Sequence, residues 1–233
     1  MITKLAIFDI DGTLTATNPL DHACFIAAVK EYISPDFQEF VPSFFTHFTD
    51  SCIILELFEH YQNRPPTPIE EQAFKDCYIQ KLQAALEESP SYFQPLEGAA
   101  AILEAFPKEW GVAFATGCWQ ESALIKLKGG GIPFEVGPLA TASDAFSRQE
   151  IMQTAIDKAK IHYQVEELEQ VVYIGDGLWD KHSCGDMGLP FVGMEQGNKA
   201  YQTGQLGAFH LLADYNDPAR FFALLEEAQV PAF

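Results

Sequence analysis

The chain has 233 residues, of which 48% are hydrophobic, so it is long enough to form one large or two small domains with a substantial core. Thirty-three acidic residues outnumber 14 basic ones, and the formal net charge is −19. A charge of this sign disfavours nucleic acid polymers and anionic membrane surfaces as partners. It still permits a small anionic ligand, since a cation and a few backbone amides can reverse the field locally.

The chain has no apolar run that approaches the roughly 20 residues needed to cross a bilayer, so we predict no membrane span. Residues 1–4 lead directly into a strand-like stretch, without the long apolar region of a signal peptide. The five cysteines are scattered and include no CxxC pair, which favours reduced thiols over a disulfide framework. Together these patterns predict a cytoplasmic protein.

Short apolar runs alternate with helical patterns along most of the chain. This alternation predicts a doubly wound α/β fold, with a parallel sheet covered by helices on both faces. The predicted strands are residues 5–8, 112–115, 171–174, 189–192 and 209–212. Pro190 lies near the start of its run and predicts an edge position for that strand, because proline cannot donate to a strand ladder.

A helical insert is predicted between the first and second strands. Asn18 followed by Pro19 reads as the cap and first turn of one helix, and a second helix begins near Asp50. Thr67 and Glu70 have the spacing of a capping box at the start of a third helix.

The insert contains no convincing strand pattern. We therefore predict a small α-helical domain over residues 15–94, inserted into an α/β core domain formed by residues 1–14 and 95–233.

The first chemical signal is a pair of carboxylates, Asp9 and Asp11, at the point where the first strand ends. Ligands of open parallel sheets bind outside the carboxyl ends of the strands. Gly12 allows a sharp turn that can present a backbone amide to an anion. An ordinary turn is the alternative. A calcium loop of the EF-hand type is excluded, because its glycine and glutamate positions are occupied here by Leu14 and Leu20.

Two further signals could serve phosphate binding. Thr116 and Gly117 follow the second strand directly and could offer a hydroxyl and an amide to phosphate oxygens. Ser147 and Glu150 form a capping-box pattern that places Arg148 in the first turn of a helix, against the helix dipole. That placement favours a role as an anion clamp, with a solvated surface arginine as the alternative.

The last signal follows a buried strand at Asp176 and continues with Asp180. The two carboxylates are four residues apart and could share one helix face. Oxygen ligands of this kind suit Mg²⁺, although Asp176 alone could be a helix N-cap. Because parallel strands end at the same edge of a sheet, these distant signals are expected to meet.

In this order the motifs resemble those of the haloacid dehalogenase-like (HAD) superfamily of hydrolases. The Asp-Ile-Asp-Gly-Thr sequence from Asp9 resembles its first motif, Thr116 its second, Arg148 its third, and Gly175-Asp176 with Asp180 its fourth. The helical insert resembles the cap domain that this family carries after its first motif. The third motif of the family is more often lysine, so the alternatives for the cationic role are Lys126, Lys128 and Lys181.

The resemblance implies a phosphatase for small phosphorylated metabolites, with Asp9 as the nucleophile and Asp11 as the general acid and base. It implies Mg²⁺ as cofactor, with ligands from Asp9, the backbone carbonyl of Asp11, Asp176 and Asp180. The phosphate-binding residues that it implies are Gly12, Thr116, Gly117 and Arg148.

Asp11 favours phosphoryl transfer, because dehalogenases of the family lack this second carboxylate. Thr49 and Asp50 in the insert are candidates for substrate contacts, with a helix cap as the alternative. Two other functions stay open: a phosphomutase such as a β-phosphoglucomutase-like enzyme, and a non-catalytic binding protein on the same fold. The sequence identifies neither the phosphomonoester nor the oligomeric state.

Overall fold

The computed structural model describes residues 1–39, 45–195 and 211–232. The strands in these ranges are β1 (Lys4–Phe8), β2 (Trp110–Ala115), β3 (Leu139–Ala140), β4 (Gln170–Gly175), β5 (Phe191–Met194) and β6 (Leu211–Leu212). The α-helices are α1 (Asn18–Tyr32), α2 (Asp50–Gln62), α3 (Pro68–Glu88), α4 (Ala99–Glu104), α5 (Gln120–Gly129), α6 (Arg148–Tyr163), α7 (Leu178–Met187) and α8 (Pro218–Glu227). Short 3₁₀ turns cover Pro90–Phe93 and Phe134–Val136.

The described strands form one parallel sheet with the order β3-β2-β1-β4-β5-β6. In the pairing of β1 with its two neighbours, Phe8 lies opposite Phe114 on one side and Ile174 on the other. The strand order therefore reverses between β1 and β4, which is the position where open α/β sheets bind ligands. The predicted doubly wound α/β fold is confirmed.

Two details of the sheet differ from the sequence prediction. The edge position predicted from Pro190 is wrong, because β5 pairs with both β4 and β6. Pro190 lies just before β5, where its carbonyl accepts a hydrogen bond from Tyr173, so its missing N–H interrupts no ladder. Strand β3 was not predicted, since two residues are too few to show a pattern. Of the last predicted strand, 209–212, the first two residues lie outside the described ranges.

Alternate side chains of β1 enter two apolar clusters on opposite faces of the sheet. Leu5 and Ile7 belong to the first cluster, which continues into the helices between β1 and β2. Ala6 and Phe8 belong to the second cluster, on the face covered by α8. There the Phe8 ring stacks on Phe221, with ring centroids 6.1 Å apart.

The described residues between β1 and β2 contain α1 to α4 and a 3₁₀ turn. The capping box of α3 forms as predicted, with reciprocal hydrogen bonds between Thr67 and Glu70. The predicted cap of α1 is wrong: Thr17 is its N-cap residue, so the Asn18 side chain is not needed there. The division of the chain into two domains stays a prediction, and the first apolar cluster is continuous across the predicted boundary.

The five cysteines are free thiols in the structure. Within the described ranges, no helix combines the length and the apolar character needed to cross a membrane.

We predict that Phe221→Ala destabilises the protein by about 3–5 kcal/mol, the usual cost of truncating a buried phenylalanine. Phe221 is 0% exposed and packs against Phe8, Tyr215 and Phe106. The free energy of unfolding in urea measures the effect. The control is Ile161→Ala on α6, where the side chain is 79% exposed and the change should stay within about 0.5 kcal/mol. Equal costs for the two variants would contradict the assignment of Phe221 to the core.

Candidate active site

The loop after β1 brings Asp9 and Asp11 to the edge of the sheet where the strand order reverses. Asp9 N–H donates to Ile174 O on β4 at 2.9 Å, so the loop leaves the sheet beside the end of that strand. Gly12 turns the loop with φ +73°, and a Cβ there would lie 2.1 Å from Asp176 Oδ2. Only glycine allows this approach. Its N–H, predicted to face an anion, donates to Thr15 O at 2.7 Å within the loop.

Three aspartates from two distant parts of the sequence form the centre of the site. Asp9, Asp176 and Asp180 each place a carboxylate oxygen within 4.8 Å of the others, and all three are buried. Asn18 donates to Asp176 Oδ2 at 3.0 Å, while Gly177 N–H donates to Asp180 Oδ2 at 3.1 Å. Asp176 is not an N-cap residue, because Gly177 occupies that position of α7. This set of hard oxygen donors fits a small divalent cation.

Arg148 provides the positive charge nearest to this group. The predicted capping box between Ser147 and Glu150 forms and starts α6 at Arg148. The guanidinium group is buried, with Nη1 at 3.4 Å from Asp9 Oδ1 and 3.1 Å from Asp180 Oδ1. Nη2 donates to Phe48 O at 3.1 Å, and Nε has no hydrogen-bond partner among the described residues. Arg148 is therefore not a solvated surface residue.

Burial controls the protonation of the three aspartates. It raises the pKa of Asp9 to about 8, helped by the nearby Asp180 carboxylate and opposed by Arg148. Burial and the Asp9 charge likewise raise the pKa of Asp176 well above its usual range. The pKa of Asp180 is also raised by burial, against the opposing effect of Arg148. Without a cation between them, burial therefore favours the protonated forms of these carboxyl groups.

The Asp11 carboxylate belongs to a second buried group. Its Oδ2 accepts a hydrogen bond from Lys126 Nζ at 2.7 Å, and its Oδ1 accepts one from the Thr17 hydroxyl. The Lys126 ammonium group lies 2.6 Å from Asp21 Oδ1 on α1 and 3.1 Å from Cys118 Sγ. One ammonium thus faces two carboxylates. Asp11, Asp21 and Cys118 have metal-ligand spacing, but the lysine already supplies their cation.

The candidates for the cationic role are thus separated by the structure. Arg148 contacts the Asp9 group, whereas Lys126 contacts Asp11 and Asp21. Lys128 is exposed, and Lys181 is half-buried at the start of α7.

The loop after β2 contains Thr116 and Gly117. Thr116 is buried, and its hydroxyl oxygen accepts a hydrogen bond from Cys118 N–H at 3.3 Å. A Cβ on Gly117 would lie 2.7 Å from Arg148 Nη2 and 2.7 Å from Phe48 O, so the loop needs glycine to accommodate both. Gly117 is therefore a contact point between the loop, α6 and the segment that precedes α2.

Thr49 and Asp50 attach α2 to the loops at the sheet edge. Thr49 is the N-cap residue of α2, and its hydroxyl donates to Phe146 O at 2.8 Å. Asp50 is buried: its N–H donates to Gly117 O at 2.8 Å, and its Oδ2 accepts from Trp119 N–H at 2.9 Å. Burial, with the charge of Asp21, raises the pKa of Asp50 to about 8. Both side chains thus have protein partners, and their predicted role in substrate contacts stays a prediction.

Phe48 and Trp179 join the same segment to the beginning of α7. Their rings stack with centroids 4.1 Å apart and planes at 22°. The segment before α2 therefore contacts two parts of the site. Phe48 packs on Trp179 at the start of α7, which follows β4, and its carbonyl lies against Gly117 in the loop after β2.

Sequence reasoning missed two residues of this region. The sequence predicts Asn18 as a helix cap, and only its closeness to Asp11 along the chain could have suggested a place at the site. Asp21 has no motif around it, and its pairing with Lys126 depends on the packing of α1 and α5 against α3.

Comparisons with known proteins agree with this geometry. The family profile described as "Haloacid dehalogenase-like hydrolase" matches residues 6–194. No curated protein sequence matches the chain.

Several solved structures are similar over nearly their whole length. A hydrolase from Pseudomonas syringae has a TM-score of 0.69 and 21% identity, covering 95% of this chain and 97% of its own. CbbY from Rhodobacter sphaeroides, solved with phosphate, has a TM-score of 0.68 and 19% identity, covering 97% and 100%. A putative β-phosphoglucomutase from Bacteroides vulgatus has a TM-score of 0.67 and 15% identity, covering 97% and 90%.

At these identities the similar structures establish the fold alone. The family profile covers most of the chain and includes the loops that carry Asp9, Thr116, Arg148 and Asp176. The resemblance inferred from the motifs is thereby confirmed, and the chain belongs to the haloacid dehalogenase-like hydrolases.

Proposed function

We propose that the chain is a Mg²⁺-dependent phosphatase of small phosphomonoesters that forms an aspartyl-phosphate on Asp9. The observation that carries this proposal is the buried group of Asp9, Asp176 and Asp180 with Arg148 beside it, at the strand ends where α/β sheets bind ligands. The named structural relatives support it, since the CbbY structure was solved with phosphate.

Asp9 is the nucleophile in this proposal. Its carboxylate oxygen attacks phosphorus as the bond from phosphorus to the ester oxygen breaks, and the electron pair of that bond leaves with the alkoxide. Arg148 Nη1 lies 3.4 Å from Asp9 Oδ1, and the guanidinium group can bind phosphate oxygens through its remaining donors. Attack by water on the phosphorus of the aspartyl-phosphate then restores Asp9 and releases inorganic phosphate.

Asp11 handles the protons of both steps. In the first step it gives a proton to the departing oxygen and becomes a carboxylate. In the second step this carboxylate takes a proton from the attacking water, which returns Asp11 to its starting state. Its hydrogen bonds to Thr17 and Lys126 hold the carboxyl group in one orientation.

Asp9, Asp176 and the backbone carbonyl of Asp11 would hold the Mg²⁺ ion, with Asp180 close by. The fit rests on the donor set, since buried carboxylate oxygens within 4.8 Å of one another suit a hard cation. When bound, the ion supplies positive charge that lets a phosphate dianion approach the carboxylates.

The remaining predicted residues surround this centre. Thr116, Gly117 and the turn at Gly12 are the proposed phosphate-binding elements, together with Arg148. The helical segment 15–94 is the proposed cap, because its Phe48 and Asp50 contact the loops of the site. A small phosphorylated metabolite in the cytoplasm is the proposed substrate.

We predict that the purified chain releases inorganic phosphate from members of a metabolite-phosphate panel when Mg²⁺ is present. Asp9→Asn should abolish turnover, because an amide oxygen does not replace the carboxylate as nucleophile. The matched control is Asp157→Asn on α6, which removes an exposed carboxylate that accepts a hydrogen bond from Gln153. Circular dichroism checks that both variants fold.

Retention of about a tenth of the activity by Asp9→Asn, equivalent to about 1.4 kcal/mol of barrier, would remove Asp9 from the nucleophilic role. Isomerisation of a sugar phosphate without phosphate release would identify a mutase instead.

A further prediction concerns the dependence of stability on pH and metal. Carboxyl groups of an unfolded chain titrate near pH 4, whereas the pKa of buried Asp9 is raised to about 8. Between these values the folded protein holds more protons than the unfolded chain, so its metal-free stability falls as pH rises. Mg²⁺ competes with those protons, and we expect it to raise the melting temperature more at pH 8 than at pH 5.

Thermal unfolding in EDTA and in Mg²⁺ at both pH values measures this. Asp176→Asn should reduce the Mg²⁺-dependent shift, whereas Asp157→Asn should leave it unchanged. A shift that is as large at pH 5 as at pH 8 would contradict a site built from these protonated carboxylates.

A further inference from the structure

A fully buried lysine lies behind the proposed general acid. Lys126 is 0% exposed, on α5, and its ammonium group contacts Asp11 Oδ2 at 2.7 Å and Asp21 Oδ1 at 2.6 Å. Burying an ammonium group costs several kcal/mol unless it is paired and hydrogen-bonded. The two carboxylates and the Cys118 sulfur provide those partners, so the position of Lys126 is closely constrained.

The Asp11 carboxyl group is held from two sides. Thr17 donates to Oδ1, and Thr17 is in turn hydrogen-bonded to Thr15 at 2.6 Å, which fixes its hydroxyl. Lys126 on α5 donates to Oδ2, and Cys118 S–H also donates to this oxygen at 3.2 Å. With both oxygens engaged, the carboxyl plane has one orientation.

Asp21 links this arrangement to the helical segment. It lies on α1, accepts a hydrogen bond from the Tyr78 hydroxyl on α3, and contacts Lys126 on α5. Lys126 therefore connects the loop that carries Asp11 to two helices of the segment between β1 and β2.

We propose that Lys126 is a positioning residue that orients the Asp11 carboxyl group toward the leaving-group oxygen. The inference rests on the proposed function, in which Asp11 transfers its proton to the ester oxygen as the phosphorus–oxygen bond breaks. Lys126 itself contacts neither phosphate nor metal in this proposal. A misplacement of about 1 Å in a catalytic group can cost about 10²-fold in rate.

Two substrates of similar shape separate this role from a purely structural one. The 4-nitrophenolate ion leaves 4-nitrophenyl phosphate without needing a proton, whereas the alkoxide that leaves benzyl phosphate requires one. The ratio kcat/KM reports the steps up to release of the alcohol or phenol and not the later attack of water. Loss of the Asp11 orientation should therefore lower kcat/KM for benzyl phosphate alone. A general loss of folded enzyme would reduce both activities by the same factor.

The experiment measures kcat/KM of the Mg²⁺-loaded protein on both substrates for the unmodified chain, Lys126→Met and Asp11→Asn. We expect Lys126→Met to lose about 10²-fold on benzyl phosphate, with little change on 4-nitrophenyl phosphate. Asp11→Asn should give the same selectivity with a loss of at least that size, since it removes the proton donor. Lys81→Met, which removes a lysine paired with Glu31 on the surface, is the control and should change neither activity.

The double variant Lys126→Met/Asp21→Asn covers the case in which Lys126→Met fails to fold. It removes one positive and one negative charge, so the net buried charge around Asp11 is unchanged. We expect it to show the same selective loss on benzyl phosphate. Equal losses on both substrates, or no loss, in a folded variant would overturn the role of Lys126 while leaving the phosphatase assignment intact. Absence of phosphate release by the unmodified chain would overturn both.

Discussion

Three carboxylates buried at one point of the sheet determine much of the structure around them. Asp9, Asp176 and Asp180 come together because β1 and β4 are parallel neighbours whose ends coincide. In a low-dielectric interior their mutual repulsion is severe, and the structure reduces it with the Arg148 charge and with raised pKa values. A divalent ion is the other way to satisfy such a group, which is why the geometry suits metal-assisted phosphoryl transfer.

A second buried group of charges lies nearby, and its cation is a lysine side chain of the protein. Asp11 and Asp21 share the buried ammonium group of Lys126, so this second group is complete without a metal. The two groups differ in a way that matters for chemistry. The first can exchange its protons for an ion from solution, while the second has its own cation in Lys126, which holds Asp11 in place. Neighbouring carboxylates of one short loop thereby acquire different environments.

The fold and the centre of the site could be predicted from the sequence because both depend on local rules. Buried strands appear as apolar runs, and carboxylates at the ends of parallel strands meet by topology, as Asp9 and Asp176 do. The Ser147 capping box fixed Arg148 at a helix start, from which it reaches Asp9. The pairings of Lys126 depend instead on how α1 and α5 pack against α3, which no local pattern encodes. Asn18 was misassigned because asparagine before proline is equally typical of a helix cap.

The loop that carries the proposed catalytic pair is supported from the far end of the chain. Tyr215 is buried, and its hydroxyl donates to Thr13 O at 2.9 Å across 202 positions of sequence. Asn18 reaches Asp176 across 158 positions. Contacts between such distant residues close late in folding, because the entropy of the intervening chain must be lost first. A nascent chain that has not yet reached Tyr215 lacks this hydrogen bond, so the loop gains its full set of contacts only after the residues up to Tyr215 have been synthesised.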